Sequence, residues 1–403
     1  MSQATQLLRR RSDARRVAPL PPLSDDHANY AARFTYPARR DVRRLMRSSS
    51  RLADLAIVFP GAAYAIASRH TPLELRKAAI AQVEAGEALK TVAATLGLPL
   101  WLRRLPPEAF DQPIRALPHS ETFTRRIASR MPADPAHSAS WLQAVTFGTR
   151  ACSDDFTLWL ADQSIYAEPG DPERMFGVLA SYAWHSRAPQ TRAHSLIVVP
   201  WRPEIAFDTA LCAAKSWFSR IRLTLQLSHG AVSDPWLSGG LVRGYTFVPL
   251  LDQHEILTEA RAMQNCADQY ADRLASDRCR LFSIRRHGDH IATLEIGPHA
   301  REAGMLTITQ LKGRHNLAAP LEVWQAAYAW LAGQTNLRRM PPRTFPDRQF
   351  DNAAWTDMLA DYRAATEGAP WLPHAANPVV FDELENEMGE LARRAGVSSW
   401  LFT

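Results

Sequence analysis

Lysine is nearly missing from this chain. Only four of its 47 basic residues are lysines (Lys77, Lys90, Lys215 and Lys312), and the arginine excess runs through every segment. So general a bias reads as a GC-rich coding sequence, not as a binding signal. Cysteine is also scarce. Cys152, Cys212, Cys266 and Cys279 are too few and too scattered to frame a disulfide scaffold, which predicts a reducing, cytoplasmic location. The longest apolar run, Leu52 to Ala67, carries Asp54 and a Pro60-Gly61 break. It falls short of the roughly 20 residues needed to span a bilayer, so no membrane partner is expected. The N-terminus has charge but no apolar core followed by a small-residue cleavage site, which argues against a secretory signal. No glycine-rich phosphate loop and no G-x-S-x-G elbow occurs, so ATPase and serine-hydrolase chemistry have no support and no cofactor is expected.

What is present is unevenly placed. Residues 1–51 hold twelve arginines, no lysine, four aspartates and no glutamate, a net +8 against +6 for the whole chain. The arginines cluster as Arg9-Arg10-Arg11, Arg15-Arg16, Arg39-Arg40 and Arg43-Arg44, around the proline-rich Pro19-Leu20-Pro21-Pro22. Such a stretch buries little apolar surface, so residues 1–50 read as a disordered arginine-rich arm. Guanidinium groups that displace counterions make DNA or RNA the expected partner, with those nine arginines as its contacts. A solvated leader is the equally weighted alternative.

From residue 51 to 190 the pattern is helical. Thr71-Pro72 starts an amphipathic stretch ending at Gly86, and a second helix stops at Gly97 and Pro99. Helix, glycine turn, helix outlines a helix-turn-helix. The third segment, Pro99-Leu100-Trp101-Leu102, is too apolar to read base edges, so a plain bundle is the favoured reading. Residues 191–244 read as a connecting helix and linker.

Residues 245–335 change character. A helix expected over Asp252 to Leu274 carries Ile256, Ala260, Met263, Ala267, Tyr270 and Leu274 as one buried stripe, with Cys266 at its edge. Three extended runs follow (280–286, 291–296 and 305–312), joined by turns at His287–His290 and Gly297–Gly304. The expected fold is α+β: an N-terminal all-α domain, then a helix with a three-stranded antiparallel meander, then accessory C-terminal helices over 336–403. Strand alternation places Glu295 with Ile291 and Thr293, and Gln310 with Leu306 and Ile308. Glu295 and Gln310 then converge only if the sheet is bulged or covered on both faces.

Met263, Cys266, Tyr270, Leu294-Glu295, Gln310, Gly313 and Asn316 together resemble the PcfJ-like family of conjugative plasmids and other mobile elements. That family shares a cysteine helix, a strand ending in a Leu-Glu-like pair and a Gln-x-x-Gly-x-x-Asn signature. The likeness covers about residues 245–335. Leu102-Arg103-Arg104-Leu105-Pro106 resembles the N-terminal part of longer relatives more weakly. Where the family often has His before the cysteine, this chain has Asn265. The resemblance implies a mobile-element setting more than a reaction.

Cys266, Glu295, Gln310 and Asn316 are the candidate catalytic residues. Cys266 could serve as a nucleophile if His290, His299, His315 or Glu295 lowered its pKa. The structural alternative makes Cys266 a packing thiol and pairs Glu295 with Arg285 across the hairpin. Cys266, Cys279, His287 and His290 lack the close ligand pairs of a zinc site, so no metal is expected. Two classes stay open: a nucleic-acid-associated accessory protein, and a thiol-dependent enzyme.

Overall fold

The structure is a computed structural model that describes residues 21–163, 165, 171–228, 232, 234–339 and 349–397. The chain divides into two compact units, Met1–Thr149 with Thr157–Gly170, and Arg150–Phe156 with Asp171–Thr403. Arg9, Arg10, Arg11, Arg15 and Arg16 lie outside the described residues.

The first unit is helical. Its early helices are α1 (Asp25–Ala32), α2 (Ala38–Ser48), α3 (Ser50–Val58), α4 (Pro60–Ala67), α5 (Leu73–Ala85) and α6 (Leu89–Thr95), with α7 (Glu121–Ile127) further on. The expected disordered arm is therefore wrong over 25–48. Ser24 caps α1, and Ala31, Phe34, Val42 and Met46 are buried in the unit's core with Phe59, Trp101 and Trp141. Val42, Leu45 and Met46 recur at helical spacing between the arginine pairs, so one face of α2 packs while the other carries charge. Arginine density hid that stripe in the sequence. Pro60 splits the long apolar run into α3 and α4. Among the described residues no helix is long and apolar enough to cross a membrane. The segment after α6 is a 3₁₀ turn, Leu100–Arg104, with Trp101 and Leu102 buried. The third helix of the expected bundle is therefore replaced at this point by a short turn.

Two helices contain the divisions between units, α8 (Ser138–Ala151) and α9 (Asp154–Ala161). The second unit continues with α10 (Pro172–Ser186) and α11 (Phe207–Leu227). Residues 171–190 thus join this unit and not the expected 51–190 domain. The expected connecting helix is present as α11, and it lies inside this unit, burying Trp217, Phe218, Arg220 and Arg222. Tyr182 of α10 stacks at a tilt on Trp217, 6.0 Å between rings. The C-terminal helices α15 (Asn352–Ala365) and α16 (Pro378–Arg394) pack on the same body, with Phe218 and Phe381 stacked at 4.5 Å.

The α+β fold class holds. The meander is longer than expected: a five-stranded antiparallel sheet in simple order, β1 (Gly240–Val242), β2 (Tyr245–Leu250), β3 (Arg280–Arg286), β4 (Asp289–Pro298) and β5 (Leu306–Lys312). One face buries Phe247, Phe282, Leu294, Ile296 and Leu311 against Val323 and Trp330 of helix α14 (Leu321–Ala332). The opposite face packs against α12 (Gln253–Met263), and Arg273 of the short α13 (Ala271–Ala275) reaches it at Glu295. Polar side chains are buried there: Glu259, Ser283, Thr293 and Glu295.

Candidate functional site

The long helix expected over 252–274 is interrupted. Asp252 and Glu255 form a capping box that starts α12, and Gln264 ends it in the left-handed region at φ 49°. Asn265 then accepts from the Ala267 N–H through Oδ1 at 3.1 Å and donates through Nδ2 to Thr293 Oγ1 at 2.7 Å. These side-chain bonds to a turn compete with helix continuation, which apolar periodicity cannot report. Cys266 accordingly sits on a turn, not on a helix, and caps the 3₁₀ segment Ala267–Gln269. The turn is pinned from below by a buried ion pair, Arg220 Nε to Asp268 Oδ2 at 2.6 Å.

Strand β5 delivers the other residues through a bulge. Glu295 pairs with Gln310 and Ile296 with Ile308, so Thr309 is the extra residue. The bulge overturns the strict alternation that put Gln310 with Leu306 and Ile308. Leu306 and Leu311 stay on the α14 face while Gln310 turns to the α12 face. Gly297 makes the bulge possible, because a Cβ there would lie 2.9 Å from Thr309 Cγ2. Past β5, His315 and Asn316 both adopt left-handed backbone, at φ 56° and 57°. That conformation is strained for His and brings Asn316 back over the turn.

The four candidates consequently share one cleft. Cys266, Glu295, Gln310 and Asn316 line it with Asn265, Tyr270, Thr293 and Lys312. The cleft measures about 260 Å³, open solvent at its mouth included, and its interior has room for about one water at most. Cys266 Sγ lies 3.7 Å from Asn316 Oδ1. The Tyr270 hydroxyl lies 2.9 Å from both Glu295 Oε2 and Gln310 Oε1. A phenol has one proton and a carboxylate is the stronger acceptor. The network closes when Tyr270 donates to Glu295 and the Gln310 amide presents its NH₂ to the phenol oxygen. Arg273 grips both Glu295 oxygens, with Nη1 to Oε2 at 3.1 Å, and stacks 5.1 Å over the Tyr270 ring. Thr309 Oγ1 adds a bond to Glu295 Oε1 at 2.6 Å. Glu295 therefore pairs with Arg273; Arg285 stands opposite His290 and donates to Ser283 Oγ.

Glu295 has its oxygens engaged on three side chains, and no histidine lines the cleft. His290 is held by Glu259 Oε2 at 2.5 Å, and His299 Nδ1 accepts from the Arg301 and Glu302 N–H groups. His315 is exposed on the turn beside Asn316. Burial pushes the Cys266 thiol above its ordinary pKa, with Asp268 reinforcing the shift and Asn316 and Lys312 opposing it. Burial and the Glu295 charge push the Tyr270 phenol up as well. Both groups are proton donors at neutral pH. Cys279 is buried elsewhere, its thiol pushed up to about 12. Among the described residues no cluster of three His, Cys, Asp or Glu could hold a metal.

Sequence spacing included Tyr270 and Asn265 but gave them no role, and it missed Arg273, Thr309, Glu259 and Thr293. Arg273 falls one turn after Tyr270, a spacing that predicts neighbouring side chains only once α13 is recognised. Glu259 is fully buried, accepting from Thr293 Oγ1 at 2.6 Å and from His290. It thereby orients the hydroxyl that holds Asn265. No family model matches the chain, and neither the curated proteins nor the solved structures yield a match.

Proposed function

We propose that this chain is a PcfJ-like accessory protein of a mobile genetic element, cytoplasmic and associated with DNA or RNA. Support for the nucleic-acid partner comes chiefly from α2. Arg39, Arg40, Arg43, Arg44 and Arg47 are all exposed, against one acidic residue, Asp41. A helix whose apolar face is fixed in a core and whose other face carries this charge presents guanidinium groups at fixed spacing, as phosphate contacts require. The mobile-element setting is supported only by the spacing from Met263 to Asn316. Binding of duplex and single-stranded oligonucleotides across a salt series tests the proposal: affinity should fall steeply with salt. Binding that is undetectable at low salt would remove it.

A second reading is favoured by the convergence of Cys266, Glu295, Gln310 and Asn316 in one cleft. In this reading the cleft acts on a carbonyl- or amide-bearing group, with Gln310, Asn316 and Lys312 as donors, Tyr270 and Glu295 holding Gln310 in place, and Cys266 as the reacting thiol. A substrate or partner must then supply the base that removes the thiol proton, because the cleft has none. Cys266→Ser and Glu295→Gln should each abolish the biological readout with little change in thermal midpoint. Loss of stability in proportion to activity would leave the residues as packing groups.

A further inference from the structure

The first unit contains an open groove of about 980 Å³, lined by Asp41, Arg44, Ser48, Ile66, Arg69 and Arg76 among others. Three guanidinium groups reach it from three segments: α2, the connection after α4, and the first turns of α5. Asp41 is the one carboxylate on the lining, and Arg40 Nε lies 3.5 Å from it. Arg44, Arg69 and Arg76 make no ion pair among the described residues. The Nε of Arg76 is buried and meets no acceptor. Desolvating a charged donor without a partner is unfavourable, and converging cations repel. An anion with several acceptor oxygens relieves both, and the guanidinium fork matches phosphate.

We infer that this groove seats a backbone phosphate of nucleic acid, with Arg44, Arg69 and Arg76 as its clamp. The inference rests on the nucleic-acid reading above and moves the anchor from the leading arm to a folded surface. Continuity favours a polyanion over a free phosphate. Arg40, Arg43, Arg44 and Arg47 follow the i, i+3, i+4, i+7 pattern of one helix face. They extend the cationic surface about 10 Å along α2.

The experiment uses the full chain and random-sequence oligonucleotides, duplex and single-stranded. The variants are Arg44→Gln/Arg69→Gln/Arg76→Gln, Arg76→Lys, and an arm variant with Arg9, Arg10, Arg11, Arg15 and Arg16 changed to Gln. Circular dichroism checks the fold, and Arg44→Gln/Arg69→Gln, both on exposed side chains, serves if the triple variant does not fold. The triple variant should bind about tenfold or more weakly near 0.15 M salt, with a log–log salt slope shallower by roughly 2 to 3. Arg76→Lys should lose part of that, because it keeps the charge but not the fork. If the arm variant alone loses affinity and the groove variants bind like the parent, the nucleic-acid reading survives and the groove inference is overturned. If the parent binds no oligonucleotide, both fall. Thermal stabilisation by inorganic phosphate that needs Arg76, without oligonucleotide binding, would assign the groove to a free phosphate and overturn its assignment to nucleic acid.

Discussion

In the second unit, Arg220 is bound to Asp268 with both side chains nearly buried, and Arg222 is met by Asp272, Asp382 and Glu385. Arg273 is held by Glu295, Arg280 by Asp277, and Arg339 by Asp234 and Asp277. On α2 of the first unit, Arg43, Arg44 and Arg47 are exposed, and no carboxylate pairs with them among the described residues. The residue type is the same and the whole chain is rich in it. Pairing and burial distinguish the two uses. A buried, paired arginine ties elements of one unit together, here α11 to α13 and α16. An arginine left without a counter-charge keeps its field available to something outside the chain. Counting arginines could not separate these uses, because the bias is general.

The sharpest way to break the comparison is to remove one arginine from each class. Arg220→Gln leaves Asp268 buried without its partner beneath the Cys266 turn, which should cost about 3–5 kcal/mol of stability. Arg43→Gln on α2 should change stability by about 0.5 kcal/mol or less. Denaturant unfolding measures both. Equal losses would mean that the α2 arginines are structural too, and the argument for a nucleic-acid face would lose its basis.

A second test uses pH and addresses the second unit's buried polar groups. His185 is fully buried, its ring near Thr191 Oγ1 with Trp184, Trp217 and Tyr362 around it. Burial lowers its pKa to about 4, with His194 adding to the shift. The unfolded chain, with an ordinary value near 6.5, binds more protons between those limits. The contribution is therefore fully present above pH 6.5 and lost as pH falls towards 4. It amounts to about 3 kcal/mol. His185→Gln should remove most of that acid-dependent loss. An unchanged pH profile would show that His185 is not the group that titrates.

Much of the second unit was legible in the sequence, and the reason is periodicity. Hydrophobic alternation located β3, β4 and β5, and the family-like spacing selected four residues that meet in one cleft. What stayed illegible were interruptions of period. Gln264 ends α12 where the apolar stripe runs on through Ala267 to Leu274, because Asn265 bonds the turn locally. Thr309 bulges where alternation predicts regular pairing. In the first unit the apolar face of α2 was written plainly as Val42, Leu45 and Met46. The dense charge between those positions read as disorder instead.

Gly297 tests the bulge directly. Gly297→Ala sets a methyl 2.9 Å from Thr309 Cγ2, with Thr309 Oγ1 next nearest at 3.4 Å. The strand must shift or the bulge must relax, at a cost of about 1–3 kcal/mol. Thr309→Ser in the same chain removes the crowding methyl and keeps the hydroxyl on Glu295, so it should recover part of the loss. If Gly297→Ala is neutral, the close approach is not what keeps glycine there.

The smallest effect concerns Cys266 itself and separates a poised thiol from an activated one. The cleft supplies burial and Asp268 to raise its pKa, against the weaker opposing pull of Asn316 and Lys312. Alkylation by iodoacetamide should therefore rise with pH through a midpoint above the ordinary thiol value of about 8.5. Lys312→Ala removes one of the groups that hold the pKa down, so it should move that midpoint further up. Asn316→Ala should do the same by removing the hydrogen bond. Because Lys312 and Asn316 are partly or fully exposed, solvent screens these effects and each shift should be modest. A midpoint below the ordinary value would mean that the free protein already contains an activating partner for Cys266. In that case thiol chemistry would need no base from a substrate, and the arrangement of Tyr270, Glu295 and Arg273 would have to be reread as part of that activation.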